Sequence, residues 1–305
     1  MSSEWITPAQ VEAFRKEETT AFRVRHSPFF WIDHFGPDFL ISLKQAADAE
    51  SLLGELLPWC ETNGVPVNRV FARSLVHQPG EEDKPRLLHG DASLLPATVV
   101  TENGLKFEID FEAGYSTGLF MDQRTNRQKL RHLRPQKILN CFAYTCAFSV
   151  AAAQEGASTL SIDLSKRALE RGKRNFALNN LELTNHRFLA DDVFKVLPRL
   201  EKREEKFDVI ILDPPTFSRS RQSGVFKVEK DFVKLIDLAI ACSAKGAFIL
   251  LSTNSTRISR AELESFAIPL CEAANRTFSF ERTKATPDIP ELAASTTTWL
   301  RLDAK

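Results

Sequence analysis

The chain has 305 residues, of which 43% are hydrophobic and 26% are charged, and it carries 40 basic and 40 acidic side chains. This composition is typical of a soluble globular protein with about two domains and excludes a membrane-embedded chain. Because the net charge is zero, overall charge does not predict nucleic-acid binding, and any such partner needs a local basic patch.

Cysteine usage and the N-terminus indicate the compartment. The five cysteines include no Cys-x-x-Cys pair, and their odd number fits a reducing compartment and suggests no metal site. The first ten residues, MSSEWITPAQ, lack the charged-then-apolar pattern of a signal peptide, and no apolar run approaches the length of a membrane span. We therefore expect a cytoplasmic protein that binds neither membrane nor metal.

The first part of the chain predicts a small α+β domain. Thr7 caps a helix that has Pro8 in its first turn, and three apolar residues are expected on one face of that helix, namely Val11, Phe14 and Phe22. A strand, a helix and a second strand are predicted next, at 38–43, 48–63 and 68–75.

An exposed loop is predicted at 78–86, and after it Asn103-Gly104 is a strong hairpin turn signal. The turn joins two predicted strands, at 97–100 and 106–111. We assign residues 1–95 to the N-terminal domain, and residues 96–305, beginning with this hairpin, to a second domain.

Strands and helices alternate from Lys137 onward. The predicted strands are at 137–140, 159–163, 186–190, 207–212 and 247–252. The predicted helices are at 148–155, 165–179, 193–199 and 229–244, and Ser259 begins another one. Two adjacent strands, at 277–283 and 297–302, close the chain. The pattern predicts a doubly wound α/β sheet with an antiparallel edge.

Polar residues follow four of these strands, at the sheet edge where α/β proteins bind ligands. The first strand leads into Asn140–Thr145, and the others end at Asp163, at Asp191-Asp192 and at Asp213-Pro214-Pro215. The acid at 163 is placed to accept hydrogen bonds from a ribose diol, unless it serves as a helix cap, for which Ser165 is better suited. No Gly-x-Gly-x-x-Gly motif is present, which argues against a dinucleotide cofactor.

Three segments together resemble a known family. They are LNCFAYTCAFSVAAAQEGA, SIDLSKRALERGKRNFALNNL and FDVIILDPPTFSRS, and ENGLKFEIDFEAGYSTGLFMDQRTNR upstream is similar to the segment that leads into the catalytic domain of that family. The family is the S-adenosylmethionine-dependent methyltransferases of large-subunit (23S) ribosomal RNA, and the resemblance covers about two-thirds of the chain. It implies a class I, Rossmann-like methyltransferase domain, S-adenosylmethionine as cofactor and RNA as partner.

The resemblance also implies roles for individual residues. The cofactor's methionine part would lie against the loop residues Asn140, Phe142, Ala143, Tyr144 and Thr145, with Phe142 or Tyr144 near the sulfonium. Asp163 would hold the ribose hydroxyls, and Asp192, or else Asp191, would accept from the adenine amino group, unless it caps a helix. Arg124 would pair with the cofactor carboxylate, with a phosphate contact or an ordinary surface ion pair as the alternatives.

Three departures from the family pattern bear on function. Cys146 stands where glycine is usual, so we expect a small buried residue and a less open helix N-terminus, with an effect on cofactor affinity. Family members commonly carry an N-terminal RNA-binding PUA domain, which this chain is too short to include, so we expect RNA to dock elsewhere. Pro287-Asp288-Ile289-Pro290 is similar to an Asp-His-Pro stretch but lacks the histidine, which weakens any transfer of a role to Asp288.

The kind of methyl transfer is inferred from a missing residue. Methylation at carbon 5 of a pyrimidine needs a cysteine nucleophile, yet Thr216 and Thr253 occupy the two matching positions. A ring nitrogen such as N7 of guanine has its own lone pair and needs only alignment. We therefore favour guanine N7 over cytosine C5, with Asp213, Pro214, Pro215 and Thr216 as the catalytic segment. Asp213 is also counted among the expected cofactor-binding residues.

Basic residues near this edge are expected to bind RNA. One group lies before the first strand, at Arg124, Arg127, Lys129, Arg131, Arg134 and Lys137. The other lies after the prolines, at Arg219, Arg221, Lys227 and Lys230, interleaved with Phe217 and Phe226. Two alternatives stay open, which are a methyltransferase of a small molecule or protein, favoured if these residues pair with acids, and a non-catalytic RNA-binding descendant.

Overall fold

A computed structural model describes residues 4–44, 48–76, 85–114, 116–215, 219–220, 224–225 and 228–303, with side chains described for all of these except residues 219–230. The chain forms two compact units, Met1–Arg124 with Thr286–Pro290, and Thr125–Ala285 with Glu291–Lys305. Within the described ranges no helix is long and apolar enough to cross a membrane, and no three His, Cys, Asp or Glu side chains group as metal ligands.

The N-terminal unit is built on a six-stranded sheet in which spatial order follows chain order. Its strands are β1 (Glu4–Trp5), β2 (Ala21–His26), β3 (Phe30–Phe35), β4 (Asp38–Leu43), β5 (Arg69–Ser74) and β6 (Arg86–His89). Its helices are α1 (Pro8–Lys16) and α2 (Ala49–Asn63), and a separate hairpin pairs β7 (Ala97–Glu102) with β8 (Leu105–Asp110). Because α2 connects β4 to β5, these two strands are parallel, whereas their neighbours pair antiparallel.

Local signals account for both helices of this unit. Thr7 caps α1, as predicted, and forms a capping box with Gln10. Asp48 caps α2, and Gly64 ends it in the left-handed conformation at φ 59°. The expectation that Phe22 lies on the first helix was wrong, since α1 ends at Lys16 and Phe22 belongs to β2. The ring of Phe22 nevertheless stacks on Phe14 of α1 at 4.7 Å, because this face of the sheet packs on the helix.

The β7–β8 hairpin forms where Asn103-Gly104 predicted it, with φ of 49° and 78° at the two turn residues. The hairpin was expected in the second domain, but it lies in the N-terminal unit, which extends to Arg124 instead of residue 95. The reason is hydrogen bonding with the segment before β2, where the amide of Thr20 donates to the carbonyl of Thr101 at 2.9 Å and the amide of Thr101 donates to the hydroxyl of Thr20 at 2.8 Å.

A buried cluster of charges in this unit centres on Arg124 and Asp288. Nη1 and Nη2 of Arg124 donate to the Asp288 carboxylate at 2.9 and 3.2 Å, and Nη2 also donates to the carbonyl of Ala21 at 2.6 Å. The guanidinium carbon lies 4.9 Å from the ring centroid of Phe14. The backbone amide of Arg23 donates to Asp288 at 2.8 Å. Since Asp288 contributes no exposed side-chain surface, its charge depends on these partners.

A buried histidine in the same unit makes stability depend on pH. The ring of His34 lies between those of Phe22 and Phe39, and burial lowers its pKa from 6.5 to about 3. Between about pH 3 and pH 6.5, His34 therefore binds a proton in the unfolded chain but not in the folded chain. The contribution of His34 to the free energy of unfolding is fully present above pH 6.5 and should fall by about 1.4 kcal/mol for each pH unit below it, until about pH 3.

We expect His34→Phe to flatten this slope, because it removes the titrating group and keeps an aromatic ring. The measurement is urea unfolding between pH 6.5 and pH 5, followed by hydrogen exchange of β3 amides. Burial also lowers the pKa of His26 and His186, so some slope will persist. Replacing the exposed His132 with glutamine is the control. An unchanged slope in His34→Phe would contradict this account.

The second unit contains a seven-stranded sheet with the spatial order β11-β10-β9-β12-β15-β17-β16. Its strands are β9 (Lys137–Cys141), β10 (Ser158–Asp163), β11 (His186–Ala190), β12 (Phe207–Leu212), β15 (Ser243–Thr253), β16 (Phe278–Glu281) and β17 (Thr296–Leu302). The first five strands in spatial order are parallel, and β17 and β16 are antiparallel. This is the predicted doubly wound sheet with an antiparallel edge. A short pair, β13 (Arg219–Ser220) and β14 (Gly224–Val225), lies outside it.

Helices connect these strands at the predicted places. They are α4 (Ala147–Gln154), α5 (Lys166–Leu178), α6 (Val193–Lys202), α7 (Val228–Cys242) and α8 (Arg260–Ala273). A further helix, α3 (Arg124–Leu133), was missed, because its sequence is mostly charged and only Leu130 is a fully buried apolar residue in it. Apolar residues from α6, α7 and α8 form one core against the sheet, and this core fixes the strand ends that carry the acids.

Candidate functional site

The strand order reverses between β9 and β12, since β10 and β11 lie on one side of β9 whereas β12 and β15 lie on the other. Ligands of open α/β sheets bind at the carboxyl ends of strands beside such a reversal. The loop after β9 and Asp213 after β12 are at this point, and Asp163 ends the neighbouring strand β10. The structure thus brings these predicted residues to one edge of the sheet.

The loop after β9 has an uncommon backbone. Phe142, Tyr144 and Cys146 have φ of 58°, 47° and 60°, in the left-handed region that costs a non-glycine residue about 1 kcal/mol. The amide of Ala143 donates to the carbonyl of Ile162 at 2.9 Å, and the amide of Cys146 donates to the carbonyl of Ala143 at 2.7 Å. Such strained residues cluster at ligand sites, so the backbone makes this loop a candidate ligand site.

Asp163 connects this loop to the start of α5. Its carboxylate accepts from the amide of Tyr144 at 2.8 Å and from the amide of Ser165 at 2.8 Å. Burial raises the pKa of the Asp163 carboxyl, and the two amide donors act in the opposite direction. As expected, Ser165 caps the helix by accepting from the amide of Ala168 at 3.1 Å. The carboxylate therefore shapes the loop in addition to any contact with a ligand.

Buried polar side chains of β9, β10, α4 and α5 form hydrogen bonds that hold the loop after β9. Nδ2 of Asn140 donates to the hydroxyl of Ser149 at 2.9 Å, and that hydroxyl lies 2.8 Å from the hydroxyl of Ser161. Nδ2 of Asn175 on α5 donates to the carbonyl of Thr145 at 2.9 Å. Asn140, Ser149, Ser161 and Asn175 are each at most 2% exposed. This network fixes the first and last residues of the predicted loop, Asn140 and Thr145.

Cys146 is a small buried residue, as predicted, and it precedes α4 in the left-handed conformation. Burial raises the pKa of its thiol to about 12, so it is not a thiolate nucleophile. A Cβ added to Gly172 of α5 would lie 2.5 Å from the Cys146 sulfur. The cysteine is therefore accommodated by a glycine on the facing helix, and its effect on cofactor affinity stays a prediction.

We expect Gly172→Ala to lower the free energy of unfolding by about 1–3 kcal/mol, because the new methyl group overpacks against Cys146. Adding Cys146→Gly should restore most of this loss, since it removes the sulfur and glycine tolerates a φ of 60°. Urea unfolding of the two single variants and the double variant measures the coupling. Gly54→Ala is the control, because a Cβ at this position in α2 meets no atom within 4 Å. Additive effects of the two changes would contradict the contact.

The acid pair after β11 is divided between two local roles. Asp192 is buried and caps α6, and its carboxylate accepts from the amide of Phe194 at 2.9 Å. Asp191 accepts from Nη1 of Arg199 at 3.0 Å and from the backbone amide of Asp192 at 2.8 Å. The hydrogen bond from that amide lowers the pKa of the Asp191 carboxyl. Asp192 therefore has the helix-capping geometry that was the alternative to adenine recognition. Adenine recognition by either acid stays a prediction.

The segment after β12 presents one fixed carboxylate. Oδ1 of Asp213 accepts from the hydroxyl of Ser252 on β15 at 2.5 Å. Pro214 is buried and Pro215 is exposed, so the chain leaves the core at this point. Thr216, the last residue of the predicted catalytic segment, lies outside the described residues. Phe217, Arg221, Phe226 and Lys227 lie outside them as well, and the side chains of Arg219 and Lys230 are not described.

Every cysteine of the chain lies within the described ranges, and every one is buried and free of disulfide bonds. Burial raises the pKa of each thiol, to about 12 for Cys60 and about 11 for Cys242 and Cys271. Thr253, which matches one nucleophile position, is fully buried, and its hydroxyl accepts from the amide of Ser255 at 3.2 Å. The described residues therefore offer no exposed thiol at the sheet edge.

Most described side chains of the first basic group, between Arg124 and Lys137, are paired with acids of the same unit. Lys129 lies 2.6 Å from Glu281, Arg131 lies 2.9 Å from Glu155, and Lys137 lies 3.0 Å from Glu205. Arg124 is paired with Asp288, and Arg127 is buried over the ring of Phe148. A surface ion pair was one alternative for Arg124, but the observed pair with Asp288 is buried, and the predicted contact of Arg124 with a cofactor carboxylate stays a prediction. This pairing weakens the expectation that the stretch binds RNA.

Sequence reasoning missed three kinds of contributor to the site. Ser252 was given no role in the site and is only the last residue of the predicted strand at 247–252, although its hydroxyl contacts Asp213. Asn175 and Ser149 had no signal, because a single polar residue in a helix does not reveal its partner. Leu164 is 50% exposed directly after Asp163, which makes it a candidate contributor, and an apolar residue following an acid at the ligand edge was the signal that could have indicated it.

Residues 74–300 match the model of a family described as S-adenosylmethionine-dependent methyltransferase. Ribosomal RNA large subunit methyltransferase I of Aeromonas salmonicida is 36% identical over 199 residues, which is 64% of this chain and 50% of that protein. Ribosomal RNA large subunit methyltransferase K/L of a Psychrobacter species is 40% identical over 188 residues, which is 60% of this chain and 23% of that protein. This chain thus matches half or less of the length of these two relatives.

A solved structure extends the similarity to nearly the whole chain. The crystal structure of SMU.776, named as a methyltransferase complexed with SAH, has a TM-score of 0.81 and covers 96% of this chain and 78% of that chain. The two sequences are 24% identical in this alignment, so the likeness concerns the fold alone. It confirms the fold class predicted from the sequence.

Proposed function

The chain belongs to the S-adenosylmethionine-dependent methyltransferase family, and on this premise we propose that it transfers a methyl group from S-adenosylmethionine to a base of large-subunit ribosomal RNA. The observation that carries the proposal is the arrangement at the strand reversal, where a strained loop, Asp163 and Asp213 end three adjacent strands. The names of the two relatives support ribosomal RNA as the substrate.

The residues around the loop fit the cofactor chemically. Asp163 is the proposed acceptor for the ribose hydroxyls, because its carboxylate is already fixed by two backbone amides. The half-buried rings of Phe142 and Tyr144 are suited to a sulfonium, since an aromatic face attracts a cation. Leu164 offers apolar surface for the adenine, whose amino group we assign to Asp192 or Asp191.

S-adenosylmethionine supplies an electrophilic methyl group when it is bound. The incoming base gains a bond to the methyl carbon as the carbon–sulfur bond breaks, and a ring nitrogen attacked in this way acquires positive charge. We propose that Asp213 orients the base by hydrogen bonding and stabilises this charge, whereas Pro214 and Pro215 fix the backbone at the strand end. Excluding water from the site strengthens that electrostatic effect.

The preference for a ring nitrogen such as guanine N7 rests on the cysteines. Methylation at cytosine C5 proceeds through a covalent adduct and needs an activated thiolate. All five thiols are buried with raised pKa values, and Thr253 at one matching position is itself buried. A nitrogen nucleophile needs alignment but no covalent adduct with the enzyme. The described residues, which offer no activated thiolate, are therefore consistent with a nitrogen acceptor.

A methyltransferase of a small molecule or protein is the second candidate. The ion pairs of Lys129, Arg131 and Lys137 favour it, because these basic side chains have acidic partners within the chain. We keep ribosomal RNA as the first candidate since both relatives are named for it. A non-catalytic descendant would fail to bind S-adenosylmethionine.

The test is methyl transfer from labelled S-adenosylmethionine to deproteinised large-subunit RNA, with the product nucleoside identified by mass spectrometry. We expect the label in 7-methylguanosine. Label in 5-methylcytidine would refute the argument from the cysteines. Cofactor binding without any label in RNA would instead favour the small-molecule or protein substrate.

A further inference from the structure

Strand register brings Ser252 beside Asp213. In the parallel pair of β12 and β15, Leu212 lies opposite Leu251, so the next residue of each strand is again adjacent. Side chains alternate between the faces of a sheet, and Ile211 and Leu250 share one core cluster whereas Leu212 and Leu251 share another. Asp213 and Ser252 therefore point to the face of Ile211 and Leu250.

The serine is rigidly held. β15 pairs with β12 on one side and with β17 on the other, where Ser252 lies opposite Thr297. The side chain of Ser252 is fully buried, and its hydroxyl donates to Oδ1 of Asp213 at 2.5 Å. The next residue, Thr253, faces the other way and binds the amide of Ser255. The hydroxyl of Ser252 is thus directed at the carboxylate at the end of the neighbouring strand.

We propose that Ser252 is a positioning residue that fixes the orientation of the Asp213 carboxylate toward the methyl acceptor. A terminal carboxylate rotates broadly about its last torsion, because an sp³–sp² bond has no narrow staggered wells. A hydrogen bond from a buried hydroxyl to one oxygen restricts that rotation and so defines where the second oxygen lies. This inference rests on the proposed function, since it assumes that Asp213 acts on the substrate.

The expected effect concerns the rate and not cofactor binding. Misorienting a catalytic group costs up to about 100-fold in rate. We expect Ser252→Ala to lower kcat about 10- to 50-fold, with KM for S-adenosylmethionine within about twofold of the wild-type value. If Ser252 acts through the charge of Asp213, adding Ser252→Ala to Asp213→Asn should lower kcat by less than about twofold further.

The control is Ser243→Ala, at the opposite end of the same strand. Ser243 is 3% exposed, and its hydroxyl donates to the carbonyl of Ile240 at 2.6 Å and accepts from Nη1 of Arg276 at 3.2 Å, so this variant also removes a buried hydroxyl and its hydrogen bonds. We expect wild-type kcat in Ser243→Ala. Equal loss of rate in both variants would overturn the proposal, because it would trace the effect to general stability of β15.

A measurement without turnover separates this inference from the proposed function. The ¹³Cγ resonance of Asp213, assigned through Asp213→Asn, should shift in Ser252→Ala and stay in place in Ser243→Ala. An unmoved resonance in Ser252→Ala, or additive rate losses in the double variant, would refute the positioning role. If the wild-type protein methylates no RNA but the resonance shifts as expected, the proposed substrate is wrong while the contact with Asp213 stands.

Discussion

Asp213→Asn is expected to lower kcat for methyl transfer by about 100- to 1000-fold, the range measured when one preorganised electrostatic contact to a transition state is removed. The change keeps the shape of the side chain and an oxygen for the bond from Ser252, but it removes the negative charge. That charge matters most when the acceptor nitrogen becomes positive, so the ground state should be affected little. Single-turnover methyl transfer with saturating RNA measures the loss.

The affinity for cofactor shows whether the loss of kcat in Asp213→Asn comes from the methyl-transfer step or from weaker cofactor binding. Titration calorimetry with S-adenosylhomocysteine should give a Kd within about threefold of the wild-type value, which corresponds to less than about 0.7 kcal/mol. The control is Asp208→Asn, in the same strand at the end remote from the site, where Asp208 accepts from the amides of Gln136 and Lys137. We expect normal turnover in the control. Normal turnover in Asp213→Asn would remove Asp213 from the mechanism.

Asp163→Asn should act in the opposite way, by raising the Kd for S-adenosylmethionine about 10- to 100-fold with a smaller effect on kcat at saturation. Hydrogen bonds to a charged acceptor contribute about 1.5–3 kcal/mol, and the amide that replaces the carboxylate carries no charge and has one accepting oxygen fewer. Part of the loss will come from the loop, because the amides of Tyr144 and Ser165 use the same carboxylate.

Asp208→Asn is a close match for this second variant too, because Asp208 also accepts from two backbone amides. If loosening such a backbone contact were sufficient to weaken binding, both variants would show it. We expect the wild-type Kd in Asp208→Asn. An unchanged Kd in Asp163→Asn would instead show that the ribose lies against another group.

The sequence predicted those parts of the fold that local signals determine. The acids after buried strands, the capping residues and Asn103-Gly104 all act over a few residues, and each predicted helix and strand is present, whereas most of the predicted loop at 78–86 lies outside the described residues. The α3 helix was missed because its charges hide a single buried apolar residue, Leu130. Phe22 was assigned to a helix because a window of residues cannot distinguish a helix face from a strand that packs on it.

Contacts between residues distant in the chain were harder to predict. The pairs formed by Ser252 with Asp213 and by Arg124 with Asp288 join residues 39 and 164 positions apart. Neither partner carries a local signal for the other, and only strand register or the course of the chain brings them together. The accommodation of Cys146 by Gly172 belongs to the same class, since it depends on the approach of two helices.

The ion pair of Arg124 and Asp288 also has a consequence for synthesis of the protein. A ribosome releases the chain from its N-terminus, so Arg124 emerges long before Asp288, and the N-terminal unit is incomplete until Thr286–Pro290 has left the exit tunnel. Until then the guanidinium lacks Asp288, its nearer counter-charge, and has the carboxylate of Glu102, which lies 3.8 Å from Nε. The first unit to be translated is therefore among the last to reach its native charge balance.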